Sequence, residues 1–234
     1  SYDNHNGIDD YLLAGTISLI RKIHAVQTES LKLLGDQISV SRLKSIELGS
    51  AWAGNTVNTV IFRHEALVST NNYQFGAFYA SANTIRLFKR SFESNTIELF
   101  NLKGDFNVKD AHNSISLGLD LQDHLHISFD HHGSRLRYMR SLTPLCISEW
   151  GGEIPLTDND AKKVTYPSFV KSTVRDKEFF MLLYRSGNHI SGEIIQNIFN
   201  HDKCKWERCE TPILSGINAG MHSANAYLNT PCVD

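Results

Sequence analysis

The stretch Asp110-Ala-His-Asn-Ser-Ile-Ser-Leu-Gly-Leu-Asp120 runs on through His124-Leu-His-Ile-Ser-Phe-Asp-His-His-Gly133 to Arg135-Leu-Arg-Tyr-Met-Arg-Ser141. Ile115, Leu117 and Leu119 alternate with Ser116 and Gly118, and Leu125, Ile127 and Phe129 alternate with His126 and Ser128. A period of two is the mark of a half-buried strand. Gln122-Asp123 supplies a polar turn, and a third pattern, Leu136 to Met139, follows the His-His-Gly turn. The reading is an antiparallel meander with His112 at its start and His131-His132 at its second turn. On this reading His124 and His126 share an exposed strand face.

Around this centre the texture is short strands separated by Gly, Asn and Ser turns. Val57–Phe62, Ala66–Ser69, Gln74–Ala80 and Thr84–Lys89 fit strands, as do Ser168–Val170, Glu178–Tyr184 and Glu193–Ile198. Such spacing predicts an all-β sandwich, barrel or propeller. Three segments share a strand, a turn and a second strand: Gln74 to Ser91, His124 to Ser141 and Glu178 to Ile195. Their spacing of about 50 residues is that of a four-stranded propeller blade. Trp150 and Trp206 close successive units. The sequence thus predicts a β-propeller over residues 49–234, incomplete, with about four blades present. Residues 8–48 carry apolar residues at three- and four-residue steps, so an N-terminal helical segment is expected over residues 1–48.

The chain has 234 residues and a formal net charge of −2, with 41% hydrophobic and 21% charged residues. That is an ordinary globular composition, so a polyanionic ligand needs a local basic cluster. No basic run or nucleic-acid motif is present. No stretch approaches the ~20 apolar residues of a membrane span. Residues 11–20 are apolar but short, and acidic residues precede them where a signal peptide has a basic region. Cys146, Cys204, Cys209 and Cys232 lack tight pair spacing; Cys204 and Cys209 fit a bridge, a metal pair or two separate thiols.

In a propeller, equivalent positions of successive units point at one axis. His112, Tyr166 and Tyr227 occupy one such position and His132 and Arg185 another, so they are expected to converge. Each also has an ordinary reading. Tyr166 before Pro167 fits a strand-start aromatic, Arg185 a solvated turn residue, and Asp110 either an imidazole partner or a turn cap. His131 and His132 are adjacent and point apart on a strand, which argues against a metal pair.

Asp110-Ala-His-Asn113, the run His126 to Tyr138, Val164-Thr-Tyr-Pro-Ser-Phe169 and Leu183-Tyr-Arg-Ser-Gly187 resemble the motifs of BNR-4 repeat proteins. These include the ulvan lyases of polysaccharide lyase families 24 and 25. Gly54 to Arg63 resembles that family's first strand. The resemblance implies a seven-bladed propeller, of which this chain would hold about half, and a secreted or periplasmic lyase. Its substrate would be an acidic, uronate-containing and often sulfated polysaccharide, cleaved by β-elimination. It further implies Arg185, assisted by His132, at the uronate carboxylate, and Tyr166 and His112 as acid and base. Asn113, Tyr227, His131 and Asn58 would contact substrate. No cofactor is required; a structural calcium or zinc ion is compatible with the resemblance, without assignable ligands. Self-association through an open propeller edge or the N-terminal helix is a further expectation. The alternatives are a non-catalytic carbohydrate-binding propeller and a sialidase-like hydrolase. The latter fits poorly, because Ser128-Phe-Asp-His-His-Gly133 lacks the sialidase turn pattern.

Overall fold

A computed structural model of the chain describes residues 46–59, 65–153, 161–188, 190–217 and 226–227. By its contacts the chain divides into two compact units, Ser1–Glu47 and Leu48–Asp234. The helix expected from residue 8 onward lies outside the described residues as far as residue 45. Among the described residues there is no helix, and every strand pairing is antiparallel.

The strands form three sheets. The first joins β1 (Leu67–Ser69), β2 (Tyr73–Ser81), β3 (Thr84–Ser91) and β4 (Ile97–Lys103) in sequence order. The second holds β5 (Ser116–Leu119), β6 (Leu125–Ser128) and β8 (Tyr138–Arg140). Between β6 and β8 the chain leaves this sheet as β7 (His132–Ser134), which pairs with β9 (Val164–Val174) in the third. There β10 (Lys177–Gly187), β11 (Gly192–Asn200) and β12 (Lys205–Arg208) follow β9, and β13 (Leu214–Ser215) pairs with β11.

This arrangement corrects the propeller expectation. No closed ring of blades is found among the described residues; there are three sheets of four, three and six strands. Each of the three repeated segments does supply one adjacent antiparallel pair, β2–β3, β6–β8 and β10–β11. The repeat is therefore local. It says nothing of β4, β7, β12 and β13, whose pairings make the sheets unequal. Val57–Thr59 lies in a turn, not a strand.

The middle sheet explains why the alternating stretch dominates the sequence. Leu117 pairs with Ile127 and Ile127 with Met139, so these side chains share one face. With Ile115, Leu119, Leu125 and Phe129 they pack against Phe75, Tyr79, Ile85 and Leu87 of the first sheet. Gly118, His126 and Arg140 form the neighbouring cross-strand row, which turns the other way. That second face is buried too, so β5 and β6 are covered on both sides.

His126 is accordingly not exposed but fully buried, a correction to the expected surface pair. Its ring packs edge-on against Phe199 and Trp206 and lies 4.7 Å from the Phe180 ring. Its Nε2 is 3.1 Å from Asp120 Oδ2, and its Nδ1 is 2.6 Å from the Tyr138 hydroxyl. Burial pushes the His126 pKa down to about 4 against the pull of Asp120. Arg140 donates to the same Asp120 oxygen, completing a buried network in which the polar atoms have partners. His124, half-buried, places its Nδ1 2.9 Å from the Ser141 carbonyl.

Gly118 sits opposite His126, where a side chain would collide. A Cβ there would meet Phe169 Cβ at 2.5 Å and Phe180 Cζ at 2.9 Å. The glycine lets the third sheet approach closely. Cys146, Cys204 and Cys209 are free thiols.

Two stability measurements follow from this packing. Gly118→Ala should cost about 1–3 kcal/mol through overpacking, read as a lowered denaturant midpoint with an unchanged slope; an unchanged midpoint would contradict the close approach. His131 is also buried, with its pKa pushed by burial to about 4. Unfolding therefore takes up protons at His126 and His131 between their unfolded value of roughly 6.5 and about 4. Stability should fall as pH falls through that window, by up to about 1.4 kcal/mol per pH unit for each histidine. Thermal melts between about pH 7.5 and 4.5 check it; a midpoint that does not move contradicts the buried neutral rings.

Candidate active site

Val164-Thr-Tyr-Pro-Ser-Phe169 builds the site from the backbone outward. Proline has no N–H and cannot continue a ladder in mid-sheet. Thr165 pairs with Arg185 and Ser168 with Leu183, so Tyr166 and Pro167 together oppose Tyr184 alone. This is a β-bulge, and it re-aims the Tyr166 side chain. Tyr166 has φ 56, in the left-handed region that a bulky residue rarely enters and that a following proline further disfavours. Such strain costs on the order of 1–3 kcal/mol and persists where surroundings enforce it. Here Glu65 accepts a hydrogen bond from Ser168 Oγ at 2.8 Å, and Ser116 Oγ lies against both Glu65 and the Pro167 carbonyl.

A second irregularity sits across β9. His132 pairs with Thr165 and Ser134 with Val164, with Gly133 bulged between at φ 73. Gly133 N–H donates to Thr165 Oγ1 at 2.8 Å. His132, Thr165 and Arg185 therefore form one cross-strand row, which sets His132 and Arg185 on the same side of the sheet. Arg185 lies within β10 and is buried, not in the solvated turn considered from sequence.

The third contribution is the turn before β5. Asp110 Oδ1 accepts the His112 backbone N–H at 2.9 Å, an Asx turn. The same oxygen lies 2.6 Å from His112 Nδ1, and Oδ2 lies 2.7 Å from His132 Nδ1. The two imidazoles stack with centroids 4.1 Å apart and planes at 22°. Partial burial pushes the Asp110 pKa up, but the His112 N–H and the two imidazoles outweigh it and hold it at about 2.

These pieces meet. The His112 ring is 6.3 Å from the Tyr166 ring, which is 6.4 Å from that of Tyr227. The Arg185 guanidinium stands over both phenol rings, at 5.4 and 5.2 Å. Beside them Tyr166, Ser168, Leu183, Tyr184, Arg185, Ile194 and Ala226 line a pocket with about 260 Å³ of empty space, its mouth included. The structure thus brings together His112, His132, Tyr166, Arg185 and the exposed Tyr227.

It does not bring the other three expected contacts to that surface. His131 is buried with Nδ1 3.0 Å from Ser134 Oγ, while its Nε2 accepts the Arg137 N–H at 2.9 Å; it braces the chain between β6 and β8. Asn113 is buried and donates to the Asn107 carbonyl. Asn58 donates to the Trp52 and Tyr79 carbonyls and accepts the Tyr79 N–H. His131, Asn58 and the Asn113 amide N–H are spent on the protein's own chain, whereas the buried Asn113 Oδ1 has no hydrogen-bond partner. Conversely, the role of Ser168 as a pocket wall carried no sequence signal, and neither did the hold of Glu65 on it.

Asp110, His112 and His132 form a group of three metal-capable side chains among the described residues, with donor atoms within 4.8 Å of one another. An ion must lie near the plane of each imidazole that binds it. Stacked rings set their planes side by side, so one ion cannot meet both Nδ1 lone pairs well. One carboxylate, with two oxygens, suits the pair better.

Comparison with known proteins gives the site a context. A search of curated proteins finds no significant match. Among solved structures, a polysaccharide lyase PL25 ulvan lyase superposes with a TM-score of 0.50 at 14% identity, over 65% of this chain and 38% of that one. The same figures hold for an ulvan lyase structure bound to -[GlcA(1-4)Rha3S]-. An endo-arabinase from Bacteroides thetaiotaomicron VPI-5482 gives a TM-score of 0.43 at 14% identity, covering 70% of this chain and 59% of that one. The chain spans only 38% of the length of the ulvan lyase structures it matches. The family model of BNR repeat-containing members matches residues 73–234, well over half of the sequence, and the chain belongs to that family.

Proposed function

We propose that the protein is a carbohydrate-active enzyme, and more finely a polysaccharide lyase that cleaves a uronate-containing, ulvan-like chain by β-elimination. The observation that carries this reading is the convergence of Arg185, Tyr166, Tyr227 and the paired imidazoles, of which Arg185 and Tyr166 also line the pocket. The fold shared with ulvan lyases and the family membership support it.

The chemistry asks for three things, and these groups can supply them. A uronate gives up its C5 proton only if the carboxylate charge is offset, because an enolate-like intermediate places further charge there. A guanidinium forms charge-assisted bonds to such a group and favours the developing charge. Arg185 takes that role, and His132 stands beside it on the same cross-strand row. The C5 proton goes to a base and the departing O4 takes a proton from an acid, as the C4–O4 bond breaks and the C4=C5 double bond forms. Tyr166 and His112, 6.3 Å apart, are the pair for these transfers. The Tyr227 ring offers an apolar face for stacking a neighbouring sugar. No metal enters these steps. Secretion or export to the periplasm is part of the same proposal.

The test is incubation with ulvan while following the ultraviolet absorbance of the 4,5-unsaturated uronate. The wild-type chain should generate it. Tyr166→Phe should lower kcat on the order of 10²–10⁴-fold. Arg185→Lys should lower it at least on the order of 10²-fold, with Arg185→Ala equal or worse. Each variant is checked for an unchanged circular dichroism spectrum. Binding of ulvan with no absorbance change would instead identify a non-catalytic carbohydrate-binding protein.

A further inference from the structure

We infer that Asp110 is a positioning residue whose single carboxylate locks His112 and His132 into the same tautomer, Nδ1–H, so that each neutral ring keeps Nε2 for a substrate. For its catalytic consequence this rests on the lyase reading; the tautomers themselves do not.

The geometry carries it in three steps. A carboxylate only accepts, so contacts of 2.6 and 2.7 Å from the two Nδ1 atoms require a hydrogen on each. The two carboxylate oxygens are used one per ring, and the rings stack at 4.1 Å, a separation a single carboxylate can span. Asp110 is itself held by the His112 backbone N–H, while His132 belongs to β7, which is paired to β9 beside Tyr166. The carboxylate therefore ties the turn before β5 to the strand that carries Tyr166. Both rings remain open to solvent, with side-chain exposures of 46% and 40%. Their Nε2 atoms are thus available where Nδ1 is not. Free neutral histidine prefers the opposite tautomer, with hydrogen on Nε2, so the inference is distinctive.

The experiment is long-range 1H–15N correlation of the 15N-labelled full chain above the titration range of its histidines. His112→Gln and His132→Gln supply the signal assignments. Both rings should show hydrogen on Nδ1. Asp110→Asn offers one acceptor and one donor, so one ring should keep Nδ1–H and the other should switch to Nε2–H. Asp110→Ser retains a hydroxyl able to cap the turn through the His112 N–H but cannot bridge the rings; it should release both, whereas a turn-capping role alone would leave them unchanged. On ulvan, both variants should lose kcat by about 10–100-fold with KM little altered. Wild-type rings protonated on Nε2, or signals indifferent to both substitutions, would overturn the inference. So would one equivalent of zinc chloride shifting both ring signals in the wild type but not in Asp110→Asn, since the cluster would then be a metal site. The expected tautomers in a chain that leaves ulvan intact would uphold Asp110's placement of the rings and defeat only the lyase reading.

Discussion

A proline in mid-sheet denies its neighbours a backbone donor, and at Pro167 the third sheet accommodates that loss with a bulge. The third sheet's share of the candidate site follows from how the bulge is borne, and the turn before β5 adds Asp110 and His112. The extra residue throws Tyr166 into the left-handed region and under the Arg185 guanidinium. Glu65 and Ser116 brace the segment from behind, through Ser168 and the Pro167 carbonyl. On the opposite edge of β9 the Gly133 bulge brings His132 onto the same row as Thr165 and Arg185. Two departures from regular pairing, either side of one strand, thus gather side chains that a regular ladder would distribute.

The rigidity behind these bulges comes from the middle sheet. Its apolar face closes the first hydrophobic cluster, and its Gly118–His126 face closes the second. A strand with serine, glycine and histidine on one face can be buried on both only if those groups are small or bonded. Gly118 leaves room for two phenylalanine rings, His126 is paired to Asp120 and Tyr138, and Ser128 Oγ donates to the Arg137 carbonyl.

That is also where sequence reasoning reached its limit. Period two correctly marked β5 and β6, but alternation reports a difference between faces and does not say whether the polar face meets water. The repeated strand–turn–strand segments located real antiparallel pairs. They could not show that β7 leaves one sheet for another, because that pairing joins residues about 30 apart through three-residue contacts with no pattern of their own. At the site, the residue types and motif order pointed to His112, His132, Tyr166, Arg185 and Tyr227, which the fold gathers. The same signals also marked His131, Asn113 and Asn58, which the chain uses for its own loops. Polarity in a motif does not distinguish a group offered to a ligand from one spent on the backbone.

The most direct test of the central claim is a crystal structure of the chain with a glucuronate-containing ulvan oligosaccharide. The account predicts the uronate carboxylate within hydrogen-bond reach of Arg185. It also predicts the ring C5 about 3–3.5 Å from the Tyr166 hydroxyl or His112 Nε2. A sugar seated elsewhere, or one whose carboxylate faces away from Arg185, would contradict it.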